Sequence, residues 1–427
     1  MLLMLLLYYI FATLIVWQGI ISLLGGFRYL AFMQREMKID GSTSDSSLYA
    51  PFVSVIAPCR GLDEGLRENL AALFMQHYPA YEIVFVTDTE ADASRAVFEE
   101  INREHGDAKN LRTCVVIAGA ATESGQKVHN LRAAIRQVDP FSEALVFVDT
   151  DARPRGDWLR SLVAPLADKS VGATTGYRWF VPSKGGFASR LRAVWNASIA
   201  SALGERVDRN FCWGGSMAIR RETFQKLDML ERWRGTLSDD FALTRALREA
   251  KLPIRFVPNC LTASMDNCSF AELLEFTTRQ MKITRVYSAH LWKIALVTNL
   301  FFVLVFFGGI ALVITRAALG FSYALPLVFV LCIFALGSAK AYVRLQAIAL
   351  PLAAYRAQLR RDALAHIFWW PLASALYLYN ALQAAFSRRI EWRGIVYELK
   401  SPTETVIIPT MKVDENMTAD GAAPRVQ

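Results

Sequence analysis

Metal-ligating side chains are few in this sequence and poorly spaced for the purpose. The six cysteines, Cys59, Cys114, Cys212, Cys260, Cys268 and Cys332, form no C-x-x-C pair and show no zinc spacing. That excludes a zinc ribbon or a redox dithiol and leaves reduced thiols in a cytosolic domain, one of them in a membrane helix. The five histidines, His77, His105, His129, His290 and His366, are scattered without ligand spacing. Charge is thin as well, at 20% of residues, and residues 2–24 (LLMLLLYYIFATLIVWQGIISLL) have none. The net charge of +8 comes with no recognised nucleic-acid motif, so no nucleic acid is expected as a partner. The basic excess lies mostly beside apolar segments, where it suits anionic headgroups.

Apolar residues are what the chain has in excess: 53% of 427 residues, with mean hydropathy +0.25. The length suits one large or two ordinary domains. Residues 2–24 are long enough to cross a bilayer. A cleaved signal peptide fits poorly, because the run is too long and lacks a basic n-region and a small-residue cleavage site. Arg28, Arg35 and Lys38 follow it and place the downstream side in the cytoplasm. Residues 294–314 and 321–339, separated by Arg316 alone among charged residues, read as a transmembrane hairpin. The stretch 366–386 holds Pro371 and is flanked by Arg356, Arg360 and Arg361 on one side and Arg388, Arg389 and Arg393 on the other. A fourth span would strand one basic cluster outside, so a re-entrant or interfacial segment is expected, giving three spans.

Between the apolar segments, strand-like runs alternate with helical patterns. FVSVIAP, EIVFVTD, RTCVVI and ALVFVDTD are followed by amphipathic stretches at 64–77, 91–105, 126–138 and 157–168. That rhythm predicts an α/β fold with a mostly parallel, Rossmann-like sheet, joined to an α-helical transmembrane region. Right-handed crossovers put the strands' C-terminal ends on one edge, where such sheets bind ligands. The expected organisation is an anchor over 1–38, an α/β domain over 39–290 ending in an amphipathic interface helix, a membrane region over 291–400 and a disordered tail over 401–427.

The residues at that edge carry the chemistry. EALVFVDTDARP, residues 143–154, ends a strand with Asp149 and Asp151 one residue apart. Two such carboxylates suit one hard cation, Mg2+ or Mn2+, that completes its shell with phosphate oxygens. A haloacid-type phosphatase also uses D-x-D, but on its first strand and without an arginine at the position of Arg153. Arg60, Asp88, Lys127 and Asn130 lie at the same edge. LSDDFALTRAL puts Asp239 and Asp240 at the start of a helix, where the positive end favours ionised carboxylates, although Ser238-Asp239-Asp240 also reads as a helix cap. CWGGSMAIRR offers Trp213 with Gly214 and Gly215, which permit close backbone approach to a ligand; a glycine turn with a core tryptophan is the plainer alternative.

The ordered set VSVIAPCRG, IVFVTD, GQKVHNL, FVDTDA, CWGGSMAIRRETF and LSDDFALTRAL resembles inverting GT-A glycosyltransferases of the family 2/21 group. Its membrane layout is most similar to ceramide glucosyltransferases and related bacterial lipid glycosyltransferases. The resemblance covers about residues 50–290. It implies that Asp88 contacts uridine, that Lys127 and Asn130 belong to the nucleotide-side helix, and that Asp149 and Asp151 hold the metal and the sugar diphosphate. It makes Asp240, with Asp239 beside it, the catalytic base. The family's (Q/R)-x-x-R-W motif is degraded to Lys282-Ile-Thr-Arg285-Val286, which assigns Arg285 to the diphosphate, with Lys282 or Gln280 at the first position. The resemblance thus implies a UDP-sugar donor, a lipid acceptor such as ceramide, and a catalytic domain on the cytosolic face of a bacterial inner membrane. N-acetylglucosaminyl transfer to a hopanoid-type lipid, a processive polysaccharide synthase and a non-catalytic scaffold are the alternatives.

Overall fold

The computed structural model describes residues 2–42 and 49–409. Seven strands build one sheet: β1 (Val53–Pro58), β2 (Tyr81–Thr87), β3 (Leu111–Ile117), β4 (Ala144–Val148), β5 (Ala173–Phe180), β6 (Ser216–Arg220) and β7 (Ile254–Ser264). Their order is β3-β2-β1-β4-β6-β5-β7. The sheet is mostly parallel, as the strand–helix rhythm predicts; β6 alone runs against its neighbours β4 and β5.

Side-chain alternation along the strands feeds two cores, one on each face. Val53, Val55, Ile83, Phe85, Val146 and Val148 pack with Leu70, Phe74, Phe98, Trp158 and Leu162. Ile56, Val84, Val86, Leu145 and Phe147 pack with Leu131, Trp233, Leu243 and Leu247 on the other face. With helices on both faces the central strands β1, β2 and β4 are buried almost throughout, which is why they read as unbroken apolar runs. The register sets Ile56 between Val84 and Phe147. The three central strands therefore end almost level, and Asp88 and Asp149 emerge at one edge.

A third core joins the sheet to the membrane helices. Tyr29, Phe32 and Met33 of the N-terminal helix Leu2–Ser42, with Leu345 and Ile348, pack on Tyr177, Trp179 and Phe256. The N-terminal helix runs to Ser42, past the expected anchor boundary at residue 38. Leu3–Lys38, Ala289–Ala318 and Ala324–Ile348 are the three helices, among the described residues, long and apolar enough to cross a membrane. Their outward faces expose Leu6, Ile10, Leu14, Ile294, Leu304 and Leu331, an arrangement unfavourable in water and suited to lipid. The stretch 366–386 is split: helix Arg356–Phe368 ends before Trp369, and Trp370–Phe386, with Pro371 in its first turn, is only 17 residues long.

The C-terminal end corrects the expected tail. Residues 401–408 continue a small antiparallel sheet of β8 (Arg389–Trp392), β9 (Ile395–Ser401) and β10 (Glu404–Ile408). Within that stretch Thr405 is buried and Ile407 packs against the cluster of Leu237, Ile283, Ile390, Tyr397 and Leu399, so its apolar residues have a surface to order on. The rest of the expected tail, residues 410–427, lies outside the described residues.

Candidate active site

Asp149-Thr150-Asp151 forms a turn directly after β4, closed by the Ala152 N–H on the Asp149 carbonyl at 3.1 Å. Asn69 donates to the Thr150 carbonyl at 3.1 Å and so ties the turn to the helix after β1. At the edge Lys127 reaches two carboxylates from different parts of the chain, Asp149 at 2.7 Å and Asp239 at 3.4 Å. Arg178, from β5, pairs with Asp151 at 2.8 Å and lies 5.3 Å from the Trp213 ring. Asp88 pairs with Arg60 at 3.4 Å. Asp240 is half-buried at the start of helix Asp239–Glu249, its Oδ1 accepting from the Phe241 N–H at 2.7 Å and from the Ser238 hydroxyl. Ser238 does cap this helix, but the cap leaves Asp239 free to pair with Lys127.

Burial and charge act against each other here. Burial lowers the basicity of Lys127, but Asp149 and Asp239 more than offset it and the ammonium stays charged. Burial likewise raises the Asp149 carboxyl, and Lys127 with Arg178 outweighs it, so Asp149 sits below the usual carboxylate range. For Asp151 burial prevails, helped by Asp149 against the pull of Arg178, and its carboxyl is pushed up to about 6. Asp239 is also pushed up to about 6, chiefly by burial. Asp151 Oδ1 and Asp239 Oδ2 are buried without a hydrogen-bond partner among the described residues. A buried carboxylate oxygen left this way calls for a cation or a donor group.

The residues fit a divalent cation of one kind. Among the described residues no three histidine, cysteine or acidic side chains group as a metal site. Asp149 is already held by Lys127, and Asp151 offers its partnerless Oδ1. Such a donor set suits a hard ion that brings phosphate oxygens with it, and not one caged by protein alone.

The glycines are used as close-approach positions. A Cβ on Gly214 would come within 2.3 Å of Asp239 Oδ2 and 2.9 Å of Lys127 Nζ. One on Gly215 would meet the Trp213 ring at 2.2 Å. Asn130 stays inside its helix, buried, accepting from Gln126 at 2.8 Å.

The basic stripe on helix Phe270–Tyr287 departs from expectation. Arg285 donates to the Ala384 carbonyl and stands 5.2 Å from the Trp292 ring, so it is engaged away from the carboxylates. Lys282 donates to the Arg389 carbonyl at 2.7 Å, while the Gln280 main-chain carbonyl accepts from the Thr284 hydroxyl at 2.8 Å within the helix. Helical periodicity turns Lys282 and Arg285 toward the C-terminal segment, which sequence spacing alone did not reveal. The arginines that do approach the carboxylates are Arg178 and Arg393, whereas Arg279 pairs with Glu275 at 2.9 Å. Arg279 lies 5.5 Å from the Trp392 ring and feels both other arginines. Arg393 pairs with Asp63 at 2.6 Å and feels the Asp151 charge. Arg178 had one signal in the sequence, a lone charge inside the otherwise uncharged strand ATTGYRWF.

Comparisons with known proteins show what the whole chain is similar to. The family described as Glycosyl transferase family 21 matches residues 17–405. Ceramide glucosyltransferase 1 of Caenorhabditis elegans is 21% identical over 238 residues, 54% of this chain and 48% of that protein. The chain therefore matches about half the length of that relative. Among solved structures, the mannosyltransferase PcManGT from Pyrobaculum calidifontis, in complex with GDP-Man and Mn2+, is 18% identical with a TM-score of 0.44. That match covers 88% of this chain and 99% of the other. Glucosyl-3-phosphoglycerate synthase from Mycobacterium tuberculosis, in complex with Mn2+ and UDP-glucose, is 14% identical with a TM-score of 0.36, covering 57% and 81%.

Proposed function

We propose that this chain, which belongs to glycosyl transferase family 21, transfers a hexose, in the first instance glucose, from a UDP-sugar to the hydroxyl of a ceramide-type lipid, with inversion. The reading is carried by the convergence of Asp88, Asp149, Asp151, Asp239 and Asp240, with Lys127 among them, at one sheet edge beside membrane helices. The likeness to a ceramide glucosyltransferase supports the acceptor class.

Asp88 and Arg60 take the uridine end of the donor. Asp151 and Asp149 would hold Mg2+ or Mn2+, which when bound supplies charge neutralisation of the diphosphate and makes it a better leaving group. Arg178 and Arg393 give the departing diphosphate a cationic rim, the part that sequence reasoning assigned to Arg285. Asp240 removes the proton from the lipid hydroxyl as its oxygen attacks the anomeric carbon from the face opposite UDP. The O–H bond breaks, the new C–O bond forms, and the bond to the diphosphate leaves with its electron pair. Oδ1 of Asp240 is occupied by the Ser238 hydroxyl and the Phe241 N–H, which assigns the proton to Oδ2. A positioned base of this kind contributes about 10²–10⁴-fold. Asp239 holds Lys127 between the two halves of the site.

The test offers radiolabelled UDP-glucose, UDP-galactose and UDP-N-acetylglucosamine to membranes containing the protein, with ceramide and a hopanoid polyol as acceptors. The expected outcome is a labelled ceramide whose new linkage is β, opposite to the donor. Labelling of the hopanoid alone, or an α linkage, would overturn the reading.

A further inference from the structure

Of the buried polar side chains outside the carboxylate cluster that have an atom lacking a hydrogen-bond partner among the described residues, four gather in one place: Tyr29 with Oη, Trp179 with Nε1, Arg344 with Nε and His366 with Nδ1. Their exposures are 9%, 1%, 7% and 2%. They come from four elements: the N-terminal helix, β5, helix Ala324–Ile348 and helix Arg356–Phe368. The fold nevertheless gathers them. The His366 ring stacks on Trp179 with centroids 5.2 Å apart. Arg344 lies within electrostatic reach of Tyr29 and His366. Tyr29 and Trp179 share one core with Leu345, the residue next to Arg344.

A buried donor without a partner destabilises a fold, and a guanidinium in that position does so more strongly. Asp362, one turn before His366, does not relieve the strain, because it is taken by Arg190 at 2.8 Å and Arg361 at 2.9 Å. Burial keeps His366 uncharged, with its pKa pulled down to about 3. Indole and guanidinium N–H groups only donate, so an occupant must bring acceptor oxygens.

The group sits between the membrane helices and the sheet, a short way from the transfer chemistry. Tyr177 and Trp179 lie on the same face of β5, two residues apart. Tyr177 packs on Trp213 with ring centroids at 5.3 Å and feels the charge of Asp240. A lipid held at this group would present a nearby hydroxyl toward that carboxylate.

We infer that Tyr29, Trp179, Arg344 and His366 seat the oxygen-bearing head of the acceptor lipid, binding the amide or ester carbonyl beside the hydroxyl that receives the sugar. The inference rests on the lipid-glycosylation reading above. A bilayer phospholipid has similar oxygens in its phosphate, and the experiment separates the two sources.

The test uses the full chain in nanodiscs of phosphatidylcholine, with or without phosphatidylglycerol, a short-chain ceramide as acceptor and the active UDP-sugar as donor. Tyr29→Phe removes a hydroxyl that has no hydrogen-bond partner among the described residues, so the melting temperature should not fall. The acceptor KM should rise about three- to tenfold, the worth of one hydrogen bond. The donor KM and the acceptor-free hydrolysis of the donor should stay unchanged. His366→Phe should act in the same direction and serves if Arg344→Met does not fold. An unchanged acceptor KM in both Tyr29→Phe and His366→Phe overturns the inference. So does a KM change that appears only with phosphatidylglycerol, which would assign the group to a bilayer phosphate. If the wild-type chain labels no lipid at all, the proposed function itself fails, and that result is distinct from both.

Discussion

Lys127 is the residue on which the charge of the site turns. It answers the half-buried Asp149 and the buried Asp239 at once, and removing it leaves Asp239 uncompensated and Asp149 with only the more distant Arg178 and Arg393. Lys127→Met should therefore destabilise the protein by about 3–5 kcal/mol, read as a large drop in melting temperature. Asp239 also has a pH signature. Its carboxyl is raised from 3.8 to about 6, so its protonated form favours the fold. That contribution is fully present below about pH 4 and is lost as pH rises through about 6. The stability of Asp239→Asn relative to the wild-type chain should accordingly increase between those values; a difference flat with pH would contradict the assignment. At this scale Asp88, Asp149, Asp151, Asp240 and Lys127 were legible, because each sits where a strand ends or a helix begins. Arg178 was not, since its meeting with Asp151, 27 positions away, depends on where β5 lies relative to the turn after β4.

The small C-terminal sheet is the element that sequence reasoning undervalued. The two residues between β8 and β9 are Arg393, with φ of 54°, and Gly394, with φ of 75°. Both angles suit the I′ turn that two-residue hairpins favour. Glycine is at ease there and arginine is not, at a cost of about 1–2 kcal/mol. The strained turn puts the Arg393 guanidinium on Asp63, in the loop after β1, and near Asp151. Arg393→Asn relaxes the turn and removes the ion pair, which is partly exposed and worth under about 1 kcal/mol. The expected result is unchanged or slightly higher stability with a UDP-sugar KM raised about three- to tenfold. An unchanged KM would mean that the pair only fastens the hairpin. Nothing local in the sequence names the partner of Arg393, since Asp63 lies 330 positions away. Lys282 and Arg285 show the reverse case: the motif they belong to was legible, and what they face was not, because that is set by the docking of β8 and helix Trp370–Phe386.

At the scale of the whole molecule, the apolar runs foretold the three long helices, and the strand–helix rhythm foretold the sheet. How the two parts meet was hidden. The junction is built by Tyr29, Phe32, Met33, Tyr177, Trp179 and Leu345, residues that any isolated segment would bury in some core. That junction puts the acidic edge of the sheet beside helices suited to lipid, which is what the proposed transfer from a water-soluble donor to a greasy acceptor requires. The most direct test of this account compares the wild-type chain with Asp240→Asn in membranes, measuring UDP-sugar binding and sugar transfer to lipid in the same preparation. The account predicts unchanged donor binding with transfer slowed about 10²–10⁴-fold. Transfer at the wild-type rate by Asp240→Asn would contradict it.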